Sequence, residues 1–465
     1  MNKSDAGSEF PPGEQHWPHD LTSRVGRPWD MRPVLKLRAA AKGRLRVLYI
    51  GFSDAQGGAA IASSRLISRF DRDGDVASLE VVALQTANAP WTVSLGRALC
   101  SWRPLRTLIA MRNVLASDPY AWLPFERAFL KRTIAIWQPD LIHMHNLHGG
   151  RGTIPLAILP EMAVKAPIIW TLHDMWGMTG HCAYSLACEG WRRGCGSCPD
   201  LSLYPQLLRD RTEQIAENKR EIFTSAIPVL VSPSRWLGKI ASEALVTKGL
   251  ELRVIANGLD LALFSPAGRD AARRELGIAP DTQVLMFAAQ SLSDETRKGA
   301  RELRIALDRV QADRLGAPLE IILMGGAGDD LLAGIPGLVF HRAGFISDAT
   351  EAARLYAAAD LFLCPSLQDN LPNTLIEAAA CGTAAVSFDI GGCGEIIEDG
   401  LSGALVAAGD AGALGDAISR LVDDPDCLAA MGRAARARAE ALYGDRRMAD
   451  DYLALYRELV ERRSA

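Results

Sequence analysis

Apolar, β-branched runs recur through most of this chain, each breaking off into a small or polar loop and most followed by a stretch of helical spacing. RLRVLYIGF from Arg44, VASLEVVAL, PDLIHMHN, APIIWTLHD and IPVLVSPS make one series. LELRVIANG, TQVLMFAAQS, LEIILMGG, LVFHRAGF, DLFLCPS and AAVSFDIGG make a second. Runs that are apolar throughout, rather than alternating, suit strands buried on both faces of a helix-covered parallel sheet. Strand, loop and helix repeated in this way build a doubly wound α/β domain, whose ligands sit in the loops at the carboxyl ends of the strands. A chain of 465 residues exceeds one ordinary core, so two Rossmann-like domains are expected. The pattern divides the chain into a mobile tail (1–43), an N-terminal domain (44–235), a C-terminal domain (236–445) and a last helix (446–465). That helix can pack on its own half or cross back to the first.

The balance of 48% hydrophobic to 23% charged residues fits a soluble α/β protein rather than a disordered one. A net charge of -4 gives no electrostatic footprint for nucleic acid. No apolar run approaches the roughly 20 residues needed to cross a bilayer, and the N-terminus lacks the apolar centre of a signal peptide. A cytoplasmic location is the expectation.

The most specific segment is PSLQDNLPNTLIEAAACGTAAVSF. Pro372 or Asn373 opens a helix that ends at Gly382, the expected placing of proline in a first turn and glycine past the end. Free amides and a partial positive charge at such a helix start suit a diphosphate. Asn373 and Glu377, four apart, share a face, and Asp369 stands in the loop leading in. This string resembles that of the retaining family-4 glycosyltransferases of the GT-B fold, two Rossmann-like domains facing a central cleft. Their signature is Glu, seven residues, Glu, then a small-residue run and Cys-Gly-Thr. The resemblance implies that Glu377 holds the donor ribose and that the region of Asp369, here an aspartate in place of the first glutamate, faces the transferred sugar. It further implies that backbone groups of Asn370, Leu371, Asn373 and Thr374 contact the sugar and phosphates.

In AAQSLSDETRKGARELRIAL, Lys298 precedes a helix, as in the family's Arg, short loop, Lys-Gly pattern, and would partner the diphosphate. The family's arginine is missing near Gln290 and Ser291, and Arg297 is the nearest replacement. Phe345, the last residue of LVFHRAGF, and Ile346 after it are the residues implied to lie against the base. In the N-terminal half the Gly57-Gly58 loop is short of a full dinucleotide fingerprint. By resemblance it approaches the donor phosphates, where glycine permits close backbone contact. Two histidine-bearing strand ends follow, HMHNLHGG and TLHDMWGMTGH, with His145 and His173 expected in the cleft near Asp174. Neutral imidazoles there would position sugar hydroxyls. The implied chemistry is front-face transfer with retention, the leaving phosphate taking the acceptor proton. It rests on positioning and electrostatics and needs no catalytic cofactor.

Cys182, Cys188, Cys195 and Cys198 crowd into the run HCAYSLACEGWRRGCGSCPDL. This run resembles one in a subset of bacterial polysaccharide glycosyltransferases, a resemblance that does not supply its role. Four thiols in this spacing make a candidate structural zinc site, with free thiols or a redox pair the alternatives. Residues 97–132 carry Arg97, Arg103, Arg106, Arg112, Arg127, Lys131 and Arg132 among tryptophans. Such a face suits an anionic membrane surface and a lipid-linked acceptor; a helical face packed on the sheet with solvated arginines suits it equally. The sequence thus points to sugar transfer from a nucleotide-sugar donor to a polysaccharide or lipid-linked oligosaccharide, as in surface or exopolysaccharide and lipopolysaccharide assembly. A non-catalytic sugar-nucleotide-binding subunit and a GT-B epimerase are the competing readings.

Overall fold

A computed structural model describes residues 30–95, 124–148, 155–289, 296–314, 319–326, 332 and 334–465. Seven strands make the first sheet: β1 (Leu45–Ser53), β2 (Val76–Leu84), β3 (Thr92–Ser94), β4 (Leu141–Met144), β5 (Ile168–Thr171), β6 (Val229–Ser232) and β7 (Leu252–Val254). Six make the second: β8 (Val284–Ala288), β9 (Leu319–Met324), β10 (Leu338–Gly344), β11 (Leu361–Cys364), β12 (Ala384–Phe388) and β13 (Gly403–Val406). Their orders are β3-β2-β1-β4-β5-β6-β7 and β10-β9-β8-β11-β12-β13, with every pairing parallel.

In each sheet the strand order reverses once, between β1 and β4 and between β8 and β11. At such a switch point adjacent loops diverge to opposite faces and leave a crevice for ligand. The Gly57-Gly58 loop follows β1 and the His145 segment follows β4; the Asp369 loop follows β11.

Local chemistry explains the elements. Val47, Leu48, Tyr49 and Ile50 of β1 are all buried, so both faces of the strand are covered. The Gly58–Asp73 helix starts after Gly57 and ends at the left-handed Gly74, and it buries Leu66, Ile67 and Phe70 against the sheet. Each of those side chains contributes about 1.5–3 kcal/mol by leaving water.

Two expectations about the chain's division change, and the open placing of the last helix is resolved. The tail of 1–43 contains a helix, Arg32–Ala40, with Val34 fully buried in the N-terminal core and Pro33 in its first turn. Its apolar stripe is one residue wide per turn, which is why the charged flanks hide it in the sequence. Residues 1–29 lie outside the described part. LELRVIANG does not open the second domain: Leu252–Val254 pairs with Leu230–Ser232 as the edge of the first sheet. The crossing therefore follows residue 254 rather than 235. The Asp445–Ser464 helix packs on the N-terminal sheet, where Met448, Tyr452, Leu455, Tyr456 and Leu459 join Val47, Tyr49 and Leu66 in one apolar cluster.

Polar groups pin that helix. Tyr456 Oη lies 2.6 Å from His143 Nδ1, His143 Nε2 lies 2.7 Å from Thr171 Oγ1, and Thr171 Oγ1 lies 2.8 Å from Tyr452 Oη. Burial drives the His143 pKa well below its ordinary value, so the ring is neutral and its two nitrogens divide into donor and acceptor.

Candidate active site

The site grows from the loop after β11. Burial would raise the Asp369 pKa, but the positive charges of Lys298 and Arg297 and the Asn370 amide hold it below the ordinary carboxylate value. Lys298 Nζ lies 2.7 Å from Asp369 Oδ2 and an Arg297 guanidinium nitrogen lies 3.2 Å from the same oxygen. Arg297 also donates to the Gln368 carbonyl at 3.1 Å, and its own carbonyl accepts from the Leu367 amide at 2.7 Å. Gly299 sits against the loop in the left-handed region (φ 69°), where an added Cβ would stand 1.8 Å from the Pro365 carbonyl oxygen. Glycine at this position lets the Arg297–Lys298 backbone lie flat on the Asp369 loop.

The next element is the Asn373–Ala380 helix, preceded by Pro372 and stopped by the left-handed Gly382 (φ 74°). Asn373 and Glu377 share its cleft-facing side. Asn373 donates to the Gly58 carbonyl at 3.1 Å, and its side-chain oxygen accepts from Asn257 at 3.0 Å. The Gly57-Gly58 loop of one domain thus touches the phosphate-type helix start of the other. Glu377 accepts from Arg65 at 2.5 Å, with both side chains largely buried. Asn370 is pinned across the same cleft. It accepts from Ser234 Oγ at 2.5 Å and donates to the Leu172 and His173 carbonyls at 3.2 Å each.

On the N-terminal wall His145 and His173 share a hydrogen between Nδ1 and Nε2, 2.9 Å apart. His143 of β4 and His145 just beyond it lie side by side, their ring centroids 4.2 Å apart. Burial pushes the His173 pKa down to about 4 and that of His145 well below its ordinary value, so both rings are neutral near pH 7. Among the described residues the buried Nε2 of His145 has no hydrogen-bond partner. Asp174 accepts from His148 Nε2 at 2.9 Å and from the Trp176 amide at 2.9 Å. Burial would raise the Asp174 pKa, but those contacts lower it. It is a structural anchor of the loop.

The remaining expected residues are not brought together by any direct contact with these groups. Leu371 is buried in the C-terminal core, Thr374 is half-buried in the first helical turn, Ile346 packs partly on that core, and Phe345 is exposed. Gln290 and Ser291 lie outside the described residues. Arg65, Gln368, Ser234 and Tyr184 come to the site without having been expected. Arg65 left a trace in the sequence, since it stands seven residues after Gly58 and so on the same helical face. The others enter through long-range packing alone.

Cys182, Cys188, Cys195 and Cys198 are free thiols. Burial pushes Cys182 up to about 12 and raises Cys195 and Cys198, with neighbouring thiols adding to each shift. Cys195 accepts from the Gly180 amide at 3.1 Å and Cys188 from the Gly190 amide at 3.4 Å. Among the described residues no group of three or more His, Cys, Asp or Glu is arranged to hold a metal ion.

Set beside known proteins, residues 282–424 match the family model described as Glycosyl transferases group 1. The likeness to that family is confined to this segment, less than a third of the chain. The segment contains Arg297, Lys298, Asp369, Asn373 and Glu377. A colanic acid biosynthesis glycosyl transferase, WcaC, of Escherichia coli K12 is 27% identical over 270 residues, covering 56% of this chain and 62% of that relative. The chain therefore spans less than two thirds of that relative. Among solved structures, sucrose-phosphate synthase of Thermosynechococcus elongatus superposes with a TM-score of 0.66 at 21% identity, over 90% of this chain and 99% of that one. Anabaena HepE, solved with UDP and glucose, superposes with a TM-score of 0.60 at 18% identity, over 90% of this chain and all of that one (100%). The fold is GT-B.

Proposed function

We propose that this protein transfers a sugar from a nucleoside-diphosphate sugar to a saccharide or lipid-linked acceptor with retention of anomeric configuration. One observation carries the reading: Lys298, Arg297 and the start of the 373–380 helix converge at the β8/β11 switch point, directly across from the Gly57-Gly58 loop at the β1/β4 switch point. Two cations and a set of free amides facing a glycine loop form a cradle for a departing diphosphate. Lys298 and Arg297 would turn from Asp369 to the phosphate oxygens as charge develops there. Glu377, one turn inside the helix, would take the two ribose hydroxyls in place of Arg65. The unpartnered His145 nitrogen would be satisfied by a sugar hydroxyl. The leaving phosphate would accept the acceptor's proton, so no side-chain base is required.

The lipid-linked acceptor and a membrane-facing surface at 97–132 belong to the same proposal. Arg97, Arg103, Arg106 and Arg112 lie outside the described residues, and Arg127 and Lys131 pair with Glu161. No helix among the described residues is long and apolar enough to cross a membrane. HepE in its UDP-glucose complex and the polysaccharide context of WcaC lend support by likeness.

The test is donor hydrolysis and transfer across a panel of nucleoside-diphosphate sugars, with NMR of the product anomer. Turnover of one donor with retention, lost at least 100-fold in Glu377→Ala at unchanged melting temperature, is the expected result. A folded protein that binds donors without turning any over would make it a binding subunit instead.

A further inference from the structure

Between β5 and the Thr212–Ala226 helix the chain spends residues 172–211 on an insert outside the strand–helix alternation. Its base is built firmly into the N-terminal domain. Lys219, almost fully buried, donates to the carbonyls of Trp176 and Thr179 at 2.6 and 3.0 Å. The Met175 amide donates to the Ala183 carbonyl, the Ala183 amide to that of Tyr204, and Trp191 is buried. Gly180 leaves no room for a side chain, since a Cβ would meet Thr212 at 2.5 Å.

The tip of this insert reaches the other domain. The Tyr184 ring carries the Arg297 guanidinium, with Cζ 4.3 Å from the ring centroid. Two residues on, the Leu186 amide donates to Gln368 Oε1 at 2.7 Å. Leu186 takes a left-handed backbone (φ 49°) to do so, a conformation costing a non-glycine residue about 1–2 kcal/mol. Gln368 is next to Asp369, and Arg297 is next to Lys298. Both contacts therefore land on the loop pair that holds the diphosphate cations, from a segment that the group 1 match (282–424) does not include.

We infer that Tyr184 is a positioning residue for the donor. Its ring holds the guanidinium of Arg297 at the height of the phosphate cradle, while the Leu186–Gln368 bond fixes the loop beneath. The inference rests on the donor-site reading above. A guanidinium stacked on an aromatic face has its plane fixed, and the fork that here meets the Gln368 carbonyl and the Asp369 carboxylate would meet two phosphate oxygens in the same plane. Without the ring Arg297 would sample several rotamers and lose order at each binding event.

The experiment is a double-mutant cycle read by calorimetric affinity for UDP, GDP and ADP, with donor KM and kcat alongside. Tyr184→Phe keeps the ring and should stay within about twofold of the parent. Tyr184→Leu should weaken the preferred diphosphate and raise donor KM about five- to tenfold, with kcat changed less. Arg297→Ala should weaken binding at least as much, and adding Tyr184→Leu to it should cost little more. Multiplying effects in the double variant, or normal affinity in Tyr184→Leu, overturns the inference. A Tyr184→Leu variant with a lowered melting temperature is replaced by Tyr184→Met, for which the same coupling is required. Lys298→Ala separates the two levels. If it abolishes diphosphate binding while Tyr184→Leu does nothing, only the positioning role fails; if it leaves binding intact, or the parent binds no diphosphate, the donor site fails and the inference with it.

Discussion

Glu80 provides the sharpest quantitative check on how the N-terminal sheet is held under the glycine loop. It lies on β2, only 3% exposed, and accepts from Thr92 Oγ1 at 2.7 Å. Burial, with the nearby Asp54 adding repulsion, raises its pKa from 4.5 to about 7. Asp54 in turn accepts from the Thr86 and Ala87 amides at 2.7 and 3.0 Å, fixing the loop that leads to Gly57. Because the folded value is raised, Glu80 contributes stability that is complete below pH 4.5 and is lost as pH rises through about 7. At 1.36 kcal/mol per unit the whole contribution is about 3 kcal/mol, and about 2–3 kcal/mol of it disappears between pH 5 and pH 8. Glu80→Gln keeps the shape and the Thr92 acceptor but cannot ionise. The glutamine variant should therefore gain about 2–3 kcal/mol on the parent as pH moves from 5 to 8. Urea unfolding followed by tryptophan emission measures this in one domain, because all 10 tryptophans precede residue 237. A difference between variant and parent that stays constant from pH 5 to pH 8 would refute the argument that Glu80 is buried as a neutral acid.

Other outcomes follow from single contacts. Tyr456→Phe leaves His143 Nδ1 buried without a partner and should cost about 1–3 kcal/mol in the same urea assay. Tyr452→Phe should cost less, since Thr171 keeps its bond to His143; equal losses would count against this network. Gly299→Ala forces backbone apart at Pro365 and should weaken nucleoside-diphosphate binding about tenfold or more, with binding unchanged arguing against the flat seating of Lys298. The zinc reading of the cysteine quartet requires its four thiols to draw together on about one ion per chain. Elemental analysis with thiol titration before and after chelation checks it, and a metal-free folded protein with four reactive thiols ends that reading.

Much of the fold was legible because burial on both faces forces strands into uninterrupted apolar runs. The helix of Arg32–Ala40 was not, because a single buried residue per turn leaves no periodic signal among charged flanks. β7 was assigned to the wrong side because an edge strand looks the same in sequence whichever sheet it closes. Of the candidate site, Asn373 and Glu377 could be picked out from short-range chemistry, a proline start, a glycine stop and a shared helical face, whereas Lys298 and Asp369 were implied by the family resemblance.

What the sequence determined by itself was the set of local elements and the loops able to carry chemistry, since propensity, capping and hydrophobic period act over a few residues. What only the tertiary structure decided was the company those loops keep. Arg65 on Glu377, Ser234 on Asn370 and Tyr184 on Arg297 lie 312, 136 and 113 positions apart. Such pairs form because two sheets close on one another and bury charges that then require partners. No local pattern encodes which distant side chain will answer that requirement.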